Sequence, residues 1–308
     1  MDKIIVRGFM KSIGILYIAT GKYEVFWEAF YKSFEKFFLK NTEKHYYVFT
    51  DKKNIYAEDN SQVHKIFQKE QPWPIPTLLK FHYFLEIEEE LLRHDYLYQS
   101  NGPIICVGEV SEADFLPRDE YDEKLFYTQH PGYYDKKTCY APYDRNKKSH
   151  AYVPYNQGNV YVFGAMNGGK AKNYIEMCKQ LDYQICEDLK LGIIAKCHDE
   201  SHINNYVAKL ENYRLLSMSY AYPSGFEVPC EPIIRCLDKS KYFDVNMLKG
   251  IYIQTTTEKS NFNYSIERIV RKIRAVILKR LKKIGFPILA LRDRLLCRKV
   301  RSVEWKSR

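Results

Sequence analysis

Segments with the patterns of buried strands and of amphipathic helices alternate along the N-terminal part of the chain. Short apolar runs typical of buried strands occupy residues 13–19, 45–50, 63–67 and 96–98. Aromatic residues recur at helical spacing over 23–40, and a proline opens a second helical pattern over 76–93, so both segments are predicted to be helices. Strands that alternate with helices indicate an α/β sandwich with a mixed, largely parallel sheet.

This arrangement also indicates where a ligand would bind. In parallel α/β sheets, ligands bind at the carboxyl ends of the strands. We therefore expect a site at the stretches after Ala19, after Tyr98 and around Gly164. No apolar stretch reaches the roughly 20 residues that a membrane-spanning helix needs.

The C-terminal segment 263–308 differs from the rest of the chain in pattern and in charge. It has one apolar stripe at helical spacing, and it carries fifteen Lys and Arg against three acids. The 308-residue chain has a formal net charge of +10, so residues 1–262 keep 33 basic and 35 acidic residues, a net charge of −2. We predict a domain over 1–262 and a basic amphipathic helical tail over 263–308. A slightly acidic body argues against a nucleic-acid partner.

The densest polar cluster is 197–205, with the sequence CHDESHINN. The adjacent carboxylates of Asp199 and Glu200 point in different directions, so one could hold hydroxyls of a bound sugar while the other faces a reacting carbon. His198 and His202 are four residues apart, as in half of a zinc site, but a third ligand at the expected spacing is missing. The residues alone also allow a second interpretation, in which the cluster is only a capped helix start.

Two further motifs are weaker. The run 161–169 contains three glycines, which let a backbone approach a ligand closely, and it precedes a predicted helix over 170–189. His130 stands before a proline, where a histidine is usually structural. Among the eight cysteines there is no CxxC pair, so a zinc ribbon is not expected.

Together, these segments resemble glycosyltransferase family 6, the retaining α-1,3-galactosyl- and N-acetylgalactosaminyltransferases that include the ABO blood-group enzymes. The resemblance covers roughly residues 13–243 and runs almost without gaps from His130 to Asn204. The residues that carry it, in family order, are Lys22-Tyr23, 45–51 (HYYVFTD), Trp73, Asp95-Tyr96-Leu97, His130-Pro131, 151–154 (AYVP), Gly164-Ala165, Gly168-Gly169 and 198–202 (HDESH).

The resemblance implies a GT-A-type fold, a nucleotide-sugar-binding α/β/α sandwich that transfers a hexosyl group from a UDP-sugar to the 3-hydroxyl of a galactoside. It implies that Glu200 is the catalytic carboxylate at the anomeric carbon, either as nucleophile or as stabiliser of an oxocarbenium-like transition state. The implied donor-binding residues are Ile18, Thr20, Tyr23, Trp73, Lys80, Asn101, Phe163, Ala165 and Asp199. The implied acceptor-binding residues are His130, Cys197 and Glu200.

The chain departs from the family pattern at the metal motif. Where mammalian members carry two aspartates, this sequence has Asn101-Gly102-Pro103, and neither Asn nor Pro offers a carboxylate to a hard cation. We therefore predict metal-independent transfer without a cofactor. The charge of the diphosphate would be balanced by Lys80, with Lys239 or Lys241 as further candidates.

Two other departures concern specificity. Cys197 stands where mammalian members have a tryptophan, which removes an aromatic platform beside the acceptor. Ala165 occupies the position at which family members use Gly or Ala to admit or exclude an N-acetyl group. Alanine takes up room beside the C2 of the sugar, and the bulky Phe163 does the same, so UDP-galactose is favoured over UDP-N-acetylgalactosamine as the donor.

The expected setting is a bacterial surface-glycan pathway. Mammalian members carry an N-terminal anchor and stem, which this sequence is not expected to have. A basic amphipathic helix is attracted to anionic lipid, so we predict a cytoplasmic enzyme held peripherally at the inner face of the bacterial membrane. There it would extend a lipid-linked oligosaccharide of lipopolysaccharide or capsule, with a fucosylated galactoside as the acceptor implied by the resemblance.

Three alternatives stay open. The tail could pack its apolar stripe on the body as a solvated helix. The chain could be a catalytically inactive sugar-binding relative, because the acidic motif and the tryptophan are lost. It could also be a peripheral membrane protein whose main task lies in the tail.

Overall fold

A computed structural model describes residues 10–100 and 102–248. The strands in these residues are β1 (Ser12–Ile18), β2 (Glu43–Thr50), β3 (Val63–Phe67), β4 (Tyr96–Ser100), β5 (Ile104–Cys106), β6 (Leu125–Gln129), β7 (Val162–Lys170), β8 (Arg214–Leu216) and β9 (Ile234–Cys236). The α-helices are α1 (Trp27–Phe37), α2 (Ile75–Leu78), α3 (Lys80–Leu85), α4 (Glu88–Leu91), α5 (Glu112–Phe115), α6 (Ala171–Lys190), α7 (Asp199–Val207) and α8 (Val245–Leu248).

Seven strands form one sheet in the order β3-β2-β1-β4-β7-β6-β8. The neighbours β3-β2, β2-β1, β1-β4 and β6-β8 are parallel, whereas β7 runs antiparallel to both β4 and β6. Strands β5 and β9 make a separate antiparallel pair. The mixed, largely parallel sheet predicted from the sequence is confirmed.

Helices cover both faces of the large sheet. Trp27 and Phe30 of α1 share one buried cluster with Ile15 of β1, while Leu16, the next residue of the strand, belongs to a second cluster that contains Tyr174 of α6. Successive strand residues point to opposite faces, so one strand supplies both clusters. The result is the predicted α/β/α sandwich.

Two of the predicted helices have different bounds in the structure. The segment predicted over 23–40 begins with a 3₁₀ turn at Gly21–Phe26, and its α-helix covers only Trp27–Phe37. The segment predicted over 76–93 is divided into α2, α3 and α4, because the backbone leaves the helical region at Leu79 and at Ile87. Tertiary packing overrides the periodic pattern at these two residues.

Parts of the sequence-based prediction lie outside the described residues. These are the tail 263–308 and Asn101, one of the predicted donor-binding residues. Within 10–100 and 102–248, none of the helices combines the length and the apolar character that crossing a bilayer requires.

Candidate active site

A cavity of about 880 Å³ opens at the carboxyl ends of β1 and β4, where the strand order predicts a site. Eight of the residues that the sequence assigned to the donor or the acceptor line it: Ile18, Thr20, Tyr23, Trp73, Lys80, His130, Phe163 and Ala165. Residues from distant parts of the chain are thus brought to one cavity, as the family resemblance implies.

Other parts of the cavity wall were not predicted. The segment 70–72, just before the predicted Trp73, supplies one side, and the segment 223–226 supplies another, including Phe226. Lys239, which the sequence suggested only as a counterion, also lines the cavity. These residues follow strands or lie in loops without a periodic pattern, so their local sequence did not indicate that they line a site.

A bulge in β7 carries Phe163 and Ala165 into the cavity wall. Strand β6 pairs with β7 at Tyr127↔Asn167 and again at Gln129↔Val162, so the residues between Val162 and Asn167 leave the ladder with β6, although Met166 still pairs with β4. Bulges of this kind redirect side chains and are common beside active sites. The glycine-containing run is therefore mainly strand, and the helix that follows begins at Ala171.

Helix α7 makes side-chain hydrogen bonds to the backbone of this part of β7. The side-chain amide of Asn204 donates to the carbonyl of Val162 and its oxygen accepts from the amide of Val162, both at 2.9 Å. The amide of Gly164 donates to Oε2 of Glu200, also at 2.9 Å. A Cβ on Gly164 would lie 2.7 Å from the Cβ of Glu200, so the close approach of the bulge to α7 requires a glycine here.

Both oxygens of the Glu200 carboxylate have a donor. Oε2 accepts from the Gly164 amide, and Oε1 accepts from the hydroxyl of Tyr161 at 2.9 Å. Burial raises the pKa of Glu200 to about 7, and the two hydrogen bonds partly oppose that shift. Glu200 is not itself part of the cavity lining. It lies behind Gly164, the residue between Phe163 and Ala165, which do line the cavity.

The neighbouring carboxylate of Asp199 points in a different direction, as expected, but its partner is Lys80, and Asp199 is not part of the cavity lining. Oδ2 of Asp199 lies 2.6 Å from Nζ of Lys80, and both side chains are almost fully buried. Lys80 also donates to the carbonyl of Gly164 and to Oε1 of Gln99, each at 3.1 Å. The ion pair thus anchors the start of α7 to α3, and the charge of Lys80 is already balanced by Asp199.

The two histidines of the cluster point to different surroundings. His198 precedes α7 with a φ of +53°, a left-handed value that strains a non-glycine residue, and it lines the cavity with its ring 4.7 Å from that of Trp73. His202 is buried, with Nε2 3.7 Å from Oδ2 of Asp188. Within residues 10–100 and 102–248, no group of three or more His, Cys, Asp or Glu is placed to hold a metal ion. The half zinc site is therefore not completed there.

The predicted acceptor residues are placed differently from one another. His130 lines the cavity with its ring 5.3 Å from that of Phe163, and burial lowers its pKa to about 4, so it is neutral at physiological pH. Cys197 is not part of the cavity lining. Its amide donates to Oγ of Ser201, and its thiol lies beside Tyr161 and Glu200, behind the bulge.

Lys239 is the second lysine of the cavity wall. Its Nζ lies 3.5 Å from the hydroxyl of Tyr23 and 5.6 Å from the centre of that ring. Burial lowers the pKa of Lys239. Among the described residues, no carboxylate lies within salt-bridge distance of its Nζ. Its charge is thus available to an anion in the cavity.

Comparison with known proteins gives the same family as the motifs. The model of glycosyltransferase family 6 matches residues 109–244. The chain is 34% identical over 214 residues to an O-antigen biosynthesis glycosyltransferase, WbnI, of Escherichia coli. This match covers 70% of this chain and 89% of the E. coli protein.

Vertebrate relatives match over a similar region. Identity is 29% over 220 residues to histo-blood group ABO system transferase 2 of Rattus norvegicus, and 29% over 231 residues to globoside alpha-1,3-N-acetylgalactosaminyltransferase 1 of Gallus gallus. These matches cover 68% and 71% of this chain, but they span 63% and 64% of the relatives' own length.

Proposed function

The chain belongs to glycosyltransferase family 6, and on that premise we propose that it is a retaining transferase that moves galactose from UDP-galactose to the 3-hydroxyl of a galactoside, forming an α-1,3 linkage. One observation carries the proposal. Glu200 is hydrogen-bonded to the bulge whose residues Phe163 and Ala165 line the cavity, and this supports a role for its carboxylate beside a bound donor sugar.

The proposed chemistry needs an anion beside the anomeric carbon. As the bond from that carbon to the diphosphate oxygen breaks, the sugar gains oxocarbenium character, which a nearby carboxylate stabilises. Retention follows either from two displacements, in which Glu200 first bonds to the carbon, or from attack by the acceptor on the face that the diphosphate leaves. In the second route, the departing diphosphate oxygen takes the proton of the acceptor hydroxyl.

The preference for galactose rests on Ala165. This residue lines the cavity, and a methyl group there takes up room that an N-acetyl group at C2 would need. Phe163 lines the same part of the cavity, and its bulky ring leaves less room there. UDP-N-acetylgalactosamine is the competing donor.

Metal-independent transfer is part of the proposal, and it rests on the sequence Asn101-Gly102-Pro103, which offers no carboxylate to a cation. The diphosphate then needs a protein cation. Lys80 is engaged by Asp199, so we assign this role to Lys239, which lines the cavity beside Tyr23.

The acceptor and the location are proposed from the relatives and from the tail. The name of the E. coli relative, an O-antigen biosynthesis glycosyltransferase, supports a lipid-linked glycan of the bacterial surface as the acceptor, and the resemblance adds that it is fucosylated. The basic segment 263–308 would hold the enzyme at the anionic inner face of the cytoplasmic membrane.

The test is a transfer assay in EDTA, with each of the two UDP-sugars and with galactosides that carry or lack fucose. We expect faster transfer from UDP-galactose, and a product whose anomeric coupling constant in the proton NMR spectrum identifies an α linkage. A β-linked product would contradict retention, and faster N-acetylgalactosamine transfer would contradict the donor preference. A strict need for added manganese would contradict metal-independent transfer. UDP binding without transfer to any acceptor would favour an inactive sugar-binding relative.

A further inference from the structure

Tyr161 is a buried polar residue that neither the family motifs nor the donor and acceptor assignments include. It stands just before β7, and only 3% of its surface is exposed. Its ring is fixed by three neighbouring rings, with centres 5.1 Å away in Tyr143, 5.2 Å in Tyr133 and 5.7 Å in His130. The amide of His130 also donates to its carbonyl at 3.0 Å. Its hydroxyl can therefore adopt few positions.

That hydroxyl is directed at Glu200. It donates to Oε1 at 2.9 Å, while the Gly164 amide donates to Oε2 at the same distance. Burial and the charge of Glu200 raise the pKa of Tyr161, so the hydroxyl remains a donor at physiological pH. One donor comes from the bulge and the other from the residue before the strand. The two hydrogen bonds therefore restrain the carboxylate about its terminal torsion.

We propose that Tyr161 is a positioning residue for catalysis, which fixes the orientation of the Glu200 carboxylate behind the bulge and favours its ionised form. This inference rests on the proposed function, in which Glu200 acts at the anomeric carbon. The hydroxyl stabilises the charged form, since a hydrogen bond to a carboxylate favours its ionised state.

Other charged and titratable groups also face Glu200. They come from its own helix, from the segment that leads into the helix, from α3 and from the loop after β6: Asp199, Cys197, Lys80 and Tyr133. Asp199 raises the pKa of Glu200 and Lys80 lowers it, but these two form a buried ion pair whose effects partly cancel. Among the side chains, Tyr161 is the one that directly hydrogen-bonds the carboxylate in the described residues.

The test is Tyr161→Phe, which removes only the hydroxyl. We expect kcat to fall by roughly tenfold, the size typical of a hydrogen bond to a charged group, with the donor KM nearly unchanged. We also expect the acidic limb of the kcat/KM profile, set in the wild type by Glu200, to move to higher pH by about half a unit or more. A merely structural role would leave that limb in place.

Tyr143→Phe is the matched control. Tyr143 is equally buried, its ring contacts Tyr161, and its hydroxyl donates to the carbonyl of Val160 at 2.6 Å rather than to Glu200. The control should lower the melting temperature without moving the acidic limb. The inference is overturned if the acidic limb of the kcat/KM profile stays in place in Tyr161→Phe, or if it moves by the same amount in both variants.

A second measurement is independent of turnover. Titration of the Glu200 carboxyl in the ligand-free protein by carbon-13 NMR, assigned with Glu200→Gln, should give a higher midpoint in Tyr161→Phe than in the wild type. An unchanged midpoint contradicts the inference. If Glu200→Gln itself keeps near-normal turnover, the proposed function of Glu200 fails instead, so the two failures can be told apart.

Discussion

Two lysines line the candidate active site, and their surroundings give them different tasks. Lys80 is fully buried and paired with Asp199, so its charge mainly holds helix α7 in place. Removing one partner of such a pair leaves an uncompensated buried charge, so we expect the loss of either residue to destabilise the fold. Lys239 has no such partner among the described residues and lies beside Tyr23 at the cavity wall.

Replacing Lys239 with methionine should therefore weaken binding of the donor. We expect the KM for UDP-galactose to rise about tenfold, because a charge-assisted contact to the diphosphate is lost while most of the apolar volume is kept. The control is Lys241→Met. Lys241 belongs to the same 3₁₀ turn, Lys239–Lys241, but it is exposed and is not part of the cavity lining. Equal effects of the two variants, or none from Lys239→Met, would remove Lys239 from donor binding.

At the scale of single residues, the sequence predicted much of the site through its motifs. Eight predicted residues line one cavity, although they come from five separate segments of the chain. The role of Tyr161 was not predictable, because it is one of 27 tyrosines and nothing in its local pattern separates a core tyrosine from one that donates to a carboxylate. Cys197 was expected beside the acceptor, and the structure places it behind the bulge instead.

At the scale of elements, the site depends on how strand β7 meets helix α7. The bulge between Val162 and Asn167 is held by Asn204 and Glu200, so the residues that line the cavity and the carboxylate behind them form one unit. A change that separates the two elements should therefore lower activity even if the rest of the sheet is intact.

Gly164→Ala tests this arrangement. The added methyl group would lie 2.7 Å from the Cβ of Glu200, so the bulge and α7 must move apart. A displacement of about 1 Å at a reacting group can lower the rate about 100-fold, and we expect a loss of kcat of this order with unchanged circular dichroism. The control is Gly225→Ala, also in the cavity wall, where a Cβ meets no atom within 4 Å. Full activity of Gly164→Ala would contradict the close packing described.

Four of the nine strands in the described residues, β1 to β4, were predicted from their apolar runs, and the helices were predicted with less accurate bounds. The strand predicted over 63–67 has the same bounds in the structure, whereas the segment 76–93 forms three short helices because its backbone turns at Leu79 and Ile87. The bulge in β7 was also not predictable. Its hydrogen bonds come from α7, some 40 residues further along the chain, and local pattern carries no information on such contacts.

At the scale of the whole molecule, the charge is divided between two parts of the sequence. Residues 1–262 carry a net charge of −2, and 263–308 carry +12. The tail lies outside the described residues, so its association with membrane stays a prediction of the sequence. Each basic residue near an anionic surface adds about 1 kcal/mol to binding, which makes fifteen of them sufficient to hold a peripheral protein.

Deletion of 263–308 tests the tail. We expect the shortened protein to lose sedimentation with vesicles that contain an anionic phospholipid, and to keep transfer to a soluble galactoside. Vesicles of neutral lipid serve as the control for the full chain, which should not sediment with them. Unchanged sedimentation after deletion would show that the tail is not the membrane-binding segment.

The most direct test of the account is the turnover of Glu200→Gln, compared with Glu211→Gln, an exposed carboxylate away from the cavity. Loss of one charge-stabilising group typically costs about 3 kcal/mol of transition-state stabilisation, so kcat should fall by about 100-fold or more, while UDP affinity measured by calorimetry stays within about twofold. Near-normal kcat in Glu200→Gln would contradict the claim that this carboxylate acts on the sugar.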